Sequence, residues 1–325
     1  MAKTLSVVIP YYREKETGML PLLSSLNNQL GVDYGKIEVI LVNDGNRNVL
    51  SEGFLSLFQN LRARVIYLDE NLGPGMARQA GLDNAAGEYV MFCDADDIIH
   101  SVGVLGAFLQ EIERGRPDLI TSAWLEELYV PDTGQYIYLT HEDENTWLHG
   151  KVFRRPFLQA RNIRFHETLR VHEDSYFLSI VMAHTNNAVK SPVTSYVWKW
   201  GDGSITRRNG GVYTFESVPE FLRAIDLSFR EVERINPAQM QYKTVQLIIY
   251  QYFVTHRPDW QTAAHAEYLE KAEGIFREMI GPYIKYFESA PIGFINQVYL
   301  EERVKYSTGI ENELFGVWLD RMLGK

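Results

Sequence analysis

The chain has 325 residues, 46% hydrophobic and 23% charged, an ordinary globular composition with room for one large domain or two modest ones. Its 32 basic against 42 acidic residues leave a net charge of −10, without the basic footprint of a general nucleic-acid binder. The one cysteine, Cys93, excludes an intrachain disulfide, and no window reaches the roughly 18 uninterrupted apolar residues of a membrane span.

The first 125 residues alternate between two patterns. LSVVIP (5–10), IEVILVND (37–44), ARVIYLD (63–69), YVMFCD (89–94) and DLITSAWLEE (118–127) predict strands. MLPLLSSLNNQL (19–30), VLSEGFLSLFQNL (49–61), GMARQAGLDNAAG (75–87) and SVGVLGAFLQEIERG (101–115) predict the helices between them, the last ending at Gly115. Apolar strands alternating with helices imply an α/β fold with a mainly parallel sheet, Rossmann-like, whose strand ends share one ligand-binding edge. From 128 the pattern changes: ELYVPDTGQYIYLTH predicts a hairpin, HEDSYFLSIVMAHT an acid-led helix, and SYVWKW a strand before a glycine-rich loop. Beyond about 215 every signal is helical, so the expected division is 1–210 and a helical 211–325.

YVMFCDADD places Asp94, Asp96 and Asp97 at the end of an apolar run. Residues alternating on an extended strand end share one side. Two carboxylates about 6 Å apart repel by on the order of 3 kcal/mol at an effective dielectric of roughly 20. A hard divalent ion, Mg²⁺ or Mn²⁺, removes that cost and keeps positions open for phosphate oxygens. Asp97 reads as the cap of the following helix, leaving Asp94 and Asp96 for the metal.

The neighbouring motifs carry more information than the aspartates. LSVVIPYYRE, EVILVNDG, NLGPGMARQAGLDNAAGEYVMFCDADD, HGKVFRR, HEDSYF and GSITRR follow one another in order, and together resemble the family 2 glycosyltransferases of the GT-A fold over roughly residues 4–207. The resemblance implies that Pro10, Tyr11, Tyr12 and Arg13 line a base and ribose pocket, and that Asp44 binds the uracil or ribose side. Arg78 would serve the diphosphate or brace the aspartates. Asp94 and Ala95 would meet the donor, with Asp94 and Asp96 on Mn²⁺ or Mg²⁺ and Asp96 the more direct ligand. Asp174, beside Glu173, would be the general base of an inverting transfer from a UDP-sugar. His149, Lys151 and Arg154 would lie beside the donor sugar and acceptor, and His172 beside the acceptor. Trp198 and Trp200 would shape the sugar face, while Ser204, Thr206, Arg207 and Arg208 would close over the diphosphate. Gln79 stands where the family often has Asn, and Asn46 where Ser is usual.

The expected partners are a nucleotide-sugar donor and a glycan or other hydroxyl acceptor, a cell-surface polysaccharide among the candidates. The C-terminal helices are available for acceptor choice or oligomerisation. Three alternatives stay open at this point: a nucleotidyltransferase, a glycosyltransferase acting on modified DNA, and a non-catalytic nucleotide-sugar binding module. The cysteine content, and an opening MAKTLSVVIP unlike a signal peptide, point to the cytoplasm, with peripheral contact at the inner face of a membrane left open.

Overall fold

The computed structural model describes residues 3–46, 50–201, 213–309 and 311–325. They fall into two compact units, Met1–Gly201 and Asp202–Lys325. In the first unit the described strands are β1 (Leu5–Tyr11), β2 (Ile37–Asn43), β3 (Ala63–Tyr67), β4 (Tyr89–Phe92), β5 (Ile98–Ile99), β6 (Leu119–Val130), β7 (Gln135–His141), β8 (Val152–Arg154) and β9 (Ala188–Trp198). The helices are α1 (Glu16–Asn27), α2 (Glu52–Leu55), α3 (Pro74–Asp83), α4 (Val104–Gly115), α5 (Arg155–Ala160) and α6 (Glu173–His184).

These strands form one sheet in the order β3-β2-β1-β4-β8-β6-β9-β5, with β7 paired to β6. β1, β2, β3, β4, β6 and β9 run one way; β5, β7 and β8 run the other. The α/β expectation therefore holds, with most strands in one direction. β2 and β4 are buried throughout, as expected of near-continuous apolar strands covered on both faces. One face packs on α1 and α4: Met19, Leu22, Leu23 and Leu26 of α1 recur at helical spacing and are fully buried, as are Val104, Leu105 and Phe108 of α4. On the other face α3 lies so close that a Cβ on Gly81 would come within 2.3 Å of Val8. Phe92, Phe165 and Phe177 close that side, with the last two rings stacked at 4.2 Å.

The chain winds outward from β1 to β2 to β3, then returns to lay β4 on the other flank of β1. That reversal makes a topological switch point between β1 and β4, where open α/β sheets bind ligands beyond the strand ends. Tyr11 and Asp94 sit at that crevice because both strands run toward it.

Several local expectations change. Residues 49–61 yield only the short α2 among those described. β6 runs unbroken to Val130, and its hairpin with β7 turns through residues 131–134 with Gly134 at φ +66°. α4 keeps Gly115 as its last residue, and Arg116 takes the left-handed position at φ +46°. Asp97 is not a helix cap: β5 intervenes, and the residue before α4 is Gly103.

The second unit is helical in its described residues: α7 (Tyr213–Glu216), α8 (Val218–Ile235), α9 (Met240–Thr255), α10 (Ala266–Ile280), α11 (Ile284–Glu288), α12 (Ile292–Tyr306) and α13 (Phe315–Leu323). α9 buries side chains around most of its circumference, including Val245, Ile248, Ile249, Tyr252 and Phe253, so it is the central helix of the unit. Trp260, Phe276 and Trp318 fill its core. No helix among the described residues is long and apolar enough to cross a membrane.

Candidate active site

The site forms where β1, β2 and β4 end and α6 begins. Asp94 leaves β4 half-buried, and its Oδ1 accepts a bond from Arg78 Nη2 at 2.6 Å. Arg78 stands on α3, buried, and its Nη1 donates to Glu173 Oε1 at 2.5 Å. One guanidinium thus joins two carboxylates from distant parts of the chain, one at the foot of the switch point and one at the start of α6. Arg78 thereby holds Asp94 and Glu173 in one ion-pair network. The close approach needs Gly75, where a Cβ would lie 2.7 Å from Glu173 Cγ.

Glu173 and Asp174 open α6, after His172 in the left-handed conformation at φ +58°. That backbone is uncommon for a side chain with a Cβ and is held here by its surroundings. Asp174 Oδ1 accepts the Ser175 N–H at 2.7 Å. Burial, and then the neighbouring charge of Glu173, push Asp174 up to about 7, against the pull of Arg78. Burial raises Glu173 as well. For Asp94 burial pushes upward too, but the Arg78 charge and hydrogen bond outweigh it and hold the carboxyl below its usual range. The environment therefore separates three neighbouring carboxylates into an ionised one and a pair poised to take a proton.

Asp97 is almost fully buried and turned into the same site. Its Oδ2 accepts the Tyr196 hydroxyl at 2.6 Å and its Oδ1 the Lys199 N–H at 2.8 Å. The Tyr196 oxygen in turn accepts the Asp94 N–H at 2.8 Å, so one phenol on β9 fixes both aspartates. Burial, with the charges of Asp94 and Asp96, drives Asp97 well above the usual carboxylate range. Asp94, Asp97 and His149 bring one potential ligand atom each to within 4.8 Å of one another. Asp96, expected to be the more direct ligand, is exposed and is outside that group. His149 is buried, its ring stacked on Tyr196 at 4.9 Å and on Trp198 at 5.6 Å, and burial pulls it down to about 4, so it is neutral.

Lys151 follows, 1% exposed, with Nζ 3.6 Å from Glu144 Oε2; burial lowers its pKa against the fields of Glu144 and Asp174. Burial also brings His172 down to about 4. Arg154 is elsewhere: it pairs with Tyr89 at the opposite end of β4, and its guanidinium meets Asp118 and Glu88. At the end of β1, Tyr11 is buried, whereas Tyr12 keeps a partly open face with the Arg13 guanidinium 4.9 Å from its ring centre. Pro10 is half-buried and Ala95 buried. Asp44 is buried, and its two oxygens accept the N–H groups of Leu72 at 2.8 Å and Gly73 at 2.9 Å, which holds the turn into α3. Trp198 belongs to the aromatic group around His149, and the Trp200 N–H is held by Glu127 at 3.0 Å. Ser204, Thr206, Arg207 and Arg208 lie outside the described residues.

Two contributors escape the reading of the sequence. Tyr196 alternates with Trp198 on β9, a spacing that puts both on one face and could have flagged it. Glu127, which binds Tyr138, Lys199 and Trp200, carries no local signal.

The chain matches the model of "Glycosyl transferase family 2" over residues 6–169, half its length. It is 25% identical over 225 residues to the succinoglycan biosynthesis protein ExoO of Rhizobium meliloti (strain 1021), 62% of this chain and 62% of that one, so the match spans less than two thirds of the relative. Among solved structures the fold is similar to S. aureus TarS 1–349, with TM-score 0.67, 17% identity, and 99% of this chain and 92% of that one covered. The same TarS fragment in complex with UDP-GlcNAc gives TM-score 0.63 at 19% identity, covering 93% and 92%. The mannosyltransferase PcManGT from Pyrobaculum calidifontis, in complex with GDP-Man and Mn²⁺, gives 0.52 at 15% identity, covering 100% and 88%. At such identities these structures speak to the fold alone. With half of its length matched, the chain belongs to glycosyl transferase family 2.

Proposed function

We propose that the protein is an inverting, metal-assisted glycosyltransferase that moves a hexose or N-acetylhexosamine from a UDP-sugar to an acceptor hydroxyl, a cell-surface glycan being the favoured acceptor. The reading rests on one observation: Arg78 ties Asp94, at the switch point, to Glu173 at the head of α6, so that Asp174 stands beside the strand-end aspartates with a pKa of about 7. A base tuned close to neutrality takes protons most effectively at the pH at which it works.

In this reading Asp174 receives the acceptor O–H proton. The acceptor oxygen forms its bond to the anomeric carbon from the face opposite the diphosphate. The bond from that carbon to the diphosphate oxygen breaks, and the electron pair leaves with UDP. Glu173, held by Arg78, keeps Asp174 from ionising too readily. Asp94 and its neighbouring carboxylates are donors suited to a hard divalent ion, Mn²⁺ or Mg²⁺, which when bound supplies charge for the departing diphosphate. Tyr12 and Arg13 offer the base a stacking surface, and Asp44 acts on the nucleotide side through the turn that it fastens. Support for the UDP-sugar comes from the TarS complex with UDP-GlcNAc, and for the metal from the PcManGT complex with Mn²⁺. Residues 1–210 would carry the transfer and 211–325 acceptor recognition or oligomerisation. Buried, unpaired Cys93 fits work in the cytoplasm, at the inner face of a membrane where the acceptor is lipid-borne.

A panel of UDP-sugars, scored by UDP release with Mn²⁺ in the presence and absence of EDTA, tests this. One UDP-sugar is expected to turn over and EDTA to abolish the turnover. Full turnover in EDTA overturns the role of the metal, and full turnover by the Asp174→Asn variant overturns Asp174 as the base.

A further inference from the structure

We infer that His149 is a metal ligand, completing with Asp94 and Asp97 a mixed nitrogen–oxygen site that selects Mn²⁺ over Mg²⁺. This rests on the metal-assisted reading above and deepens it.

His149 is the least expected member of the group. A buried imidazole among Trp124, Tyr196 and Trp198 reads at first as core packing. Two observations argue otherwise. The ring is about nine-tenths buried, yet its nitrogens are not among the sealed, unsatisfied polar atoms of the described residues, so they are available at the site. A ring retained for packing alone would be served as well by Phe or Leu, which bring no nitrogen to desolvate. One of its nitrogens also lies within 4.8 Å of a carboxylate oxygen of both Asp94 and Asp97. Ligands on opposite sides of an ion with bonds of about 2.1 Å stand about 4.2 Å apart, so a small inward movement closes the shell.

The surroundings hold this ring in place. Tyr196 and Trp198 stack on it at interplanar angles of 15° and 28°, and Trp124 meets it edge-on at 4.9 Å. The Tyr196 hydroxyl then orients both carboxylates, one through the Asp94 N–H and one directly. The backbone after His149 is fixed by Gly150 at φ +66°, where a Cβ would lie 2.8 Å from Ser122 Oγ. A pre-set ligand geometry of this kind loses little entropy on binding, and outer partners of the Tyr196 type orient metal ligands generally.

The selectivity follows from the donor set. Mg²⁺ takes oxygens and holds its waters firmly, whereas first-row transition ions accept imidazole nitrogen with carboxylate oxygen. His149 thus adds a bond that Mn²⁺ can use and Mg²⁺ cannot.

The test uses the full chain with the metal alone. Mn²⁺ binding is titrated by the loss of the free-ion EPR signal, Mg²⁺ by competition, and the bound ion is examined by pulsed EPR for directly coordinated ¹⁴N. The wild type is expected to show one Mn²⁺ site with strong ¹⁴N coupling. His149→Gln and His149→Phe are expected to lose that coupling and to bind Mn²⁺ about tenfold more weakly or worse. Their Mg²⁺ competition should stay within about twofold, tenfold being the change that loss of a supporting group already brings. His149→Phe keeps the ring stacking, so a variant that fails to fold does not remove the test, and the wild-type spectrum carries it alone if both fail. Bound Mn²⁺ without ¹⁴N coupling, or coupling that survives in both variants, overturns the inference and leaves the metal-assisted reading standing. A wild type that binds no Mn²⁺ alone overturns the inference, and the EDTA arm of the UDP-release assay then decides the metal-assisted reading.

Discussion

A single guanidinium determines how three carboxylates share charge at this site. Arg78 is buried between Asp94 and Glu173, and removing one member of a buried charge network strands the others. Arg78→Ala is expected to destabilise the fold by about 3–5 kcal/mol, read as a drop in the urea midpoint. Arg78→Lys keeps the charge but not the fork, so it should fold and yet lose turnover, because one ammonium cannot span both acids. As the proposed base, Asp174 must be ionised to act, so kcat/KM is expected to fall tenfold per unit below about pH 7. Stability runs the opposite way. The folded-state pKa lies above the unfolded value, so Asp174 contributes its full stability below the unfolded pKa and loses it as pH rises through about 7. Asp174→Asn should therefore match or exceed the wild-type melting temperature at pH 8 while turnover falls by about 10²–10⁴-fold. A variant that melts well below the wild type at pH 8 would argue against this account of the pair. The aspartates themselves are only partly legible in the sequence. Asp94 can be located because an apolar run ends on it. Asp97 misleads because an Asp shortly before a helix usually caps it, whereas here Tyr196, 99 positions away, binds its side chain.

Contact between α3 and α6 carries the site at the next scale. Their approach depends on Gly75, which leaves no room for a methyl group beside Glu173. Gly75→Ala is expected to cost about 1–3 kcal/mol through overpacking and to lower turnover by displacing Glu173 from Arg78. Gly106, inside α4, is the matched control. Its Cβ would meet only ordinary contacts at 3.6 Å and beyond, so Gly106→Ala should stabilise by about 0.5–1 kcal/mol with activity unchanged. Chemical denaturation of the two variants, read beside UDP release, separates the cases; equal effects would remove the special role of the α3–α6 contact. The elements themselves are readable where the local signal is strong: α4 by its amphipathic spacing, β2 and β4 by their unbroken apolar runs, and α6 by the acids that open it. α2 is not, because residues 49–61 mix small and polar side chains that do not favour a long helix.

At the scale of the whole molecule, donor and metal binding should be linked to folding. Anything that binds the native state alone stabilises it by mass action, about 2.7 kcal/mol at a hundredfold excess over Kd. UDP with Mn²⁺ is expected to raise the melting temperature and EDTA to cancel the rise; a shift with UDP that EDTA leaves intact would mean that the nucleotide binds without the ion. The alternation of β1 to β4 and β6 with helices, the polar groups at the strand ends and the acid pair at a helix start were determined by sequence, because apolar periodicity and strand termination are local properties; the short β5, β8 and α5 were not. Which of those groups meet was settled only by the tertiary structure. The switch between β1 and β4 puts Asp94 at the crevice, and α3 carries Arg78 from there to Glu173. β9 brings Tyr196 to both aspartates. Charges and hydrogen-bond donors far apart in the chain act on one another only after the backbone has brought them within a few ångströms, and no local pattern encodes that distance.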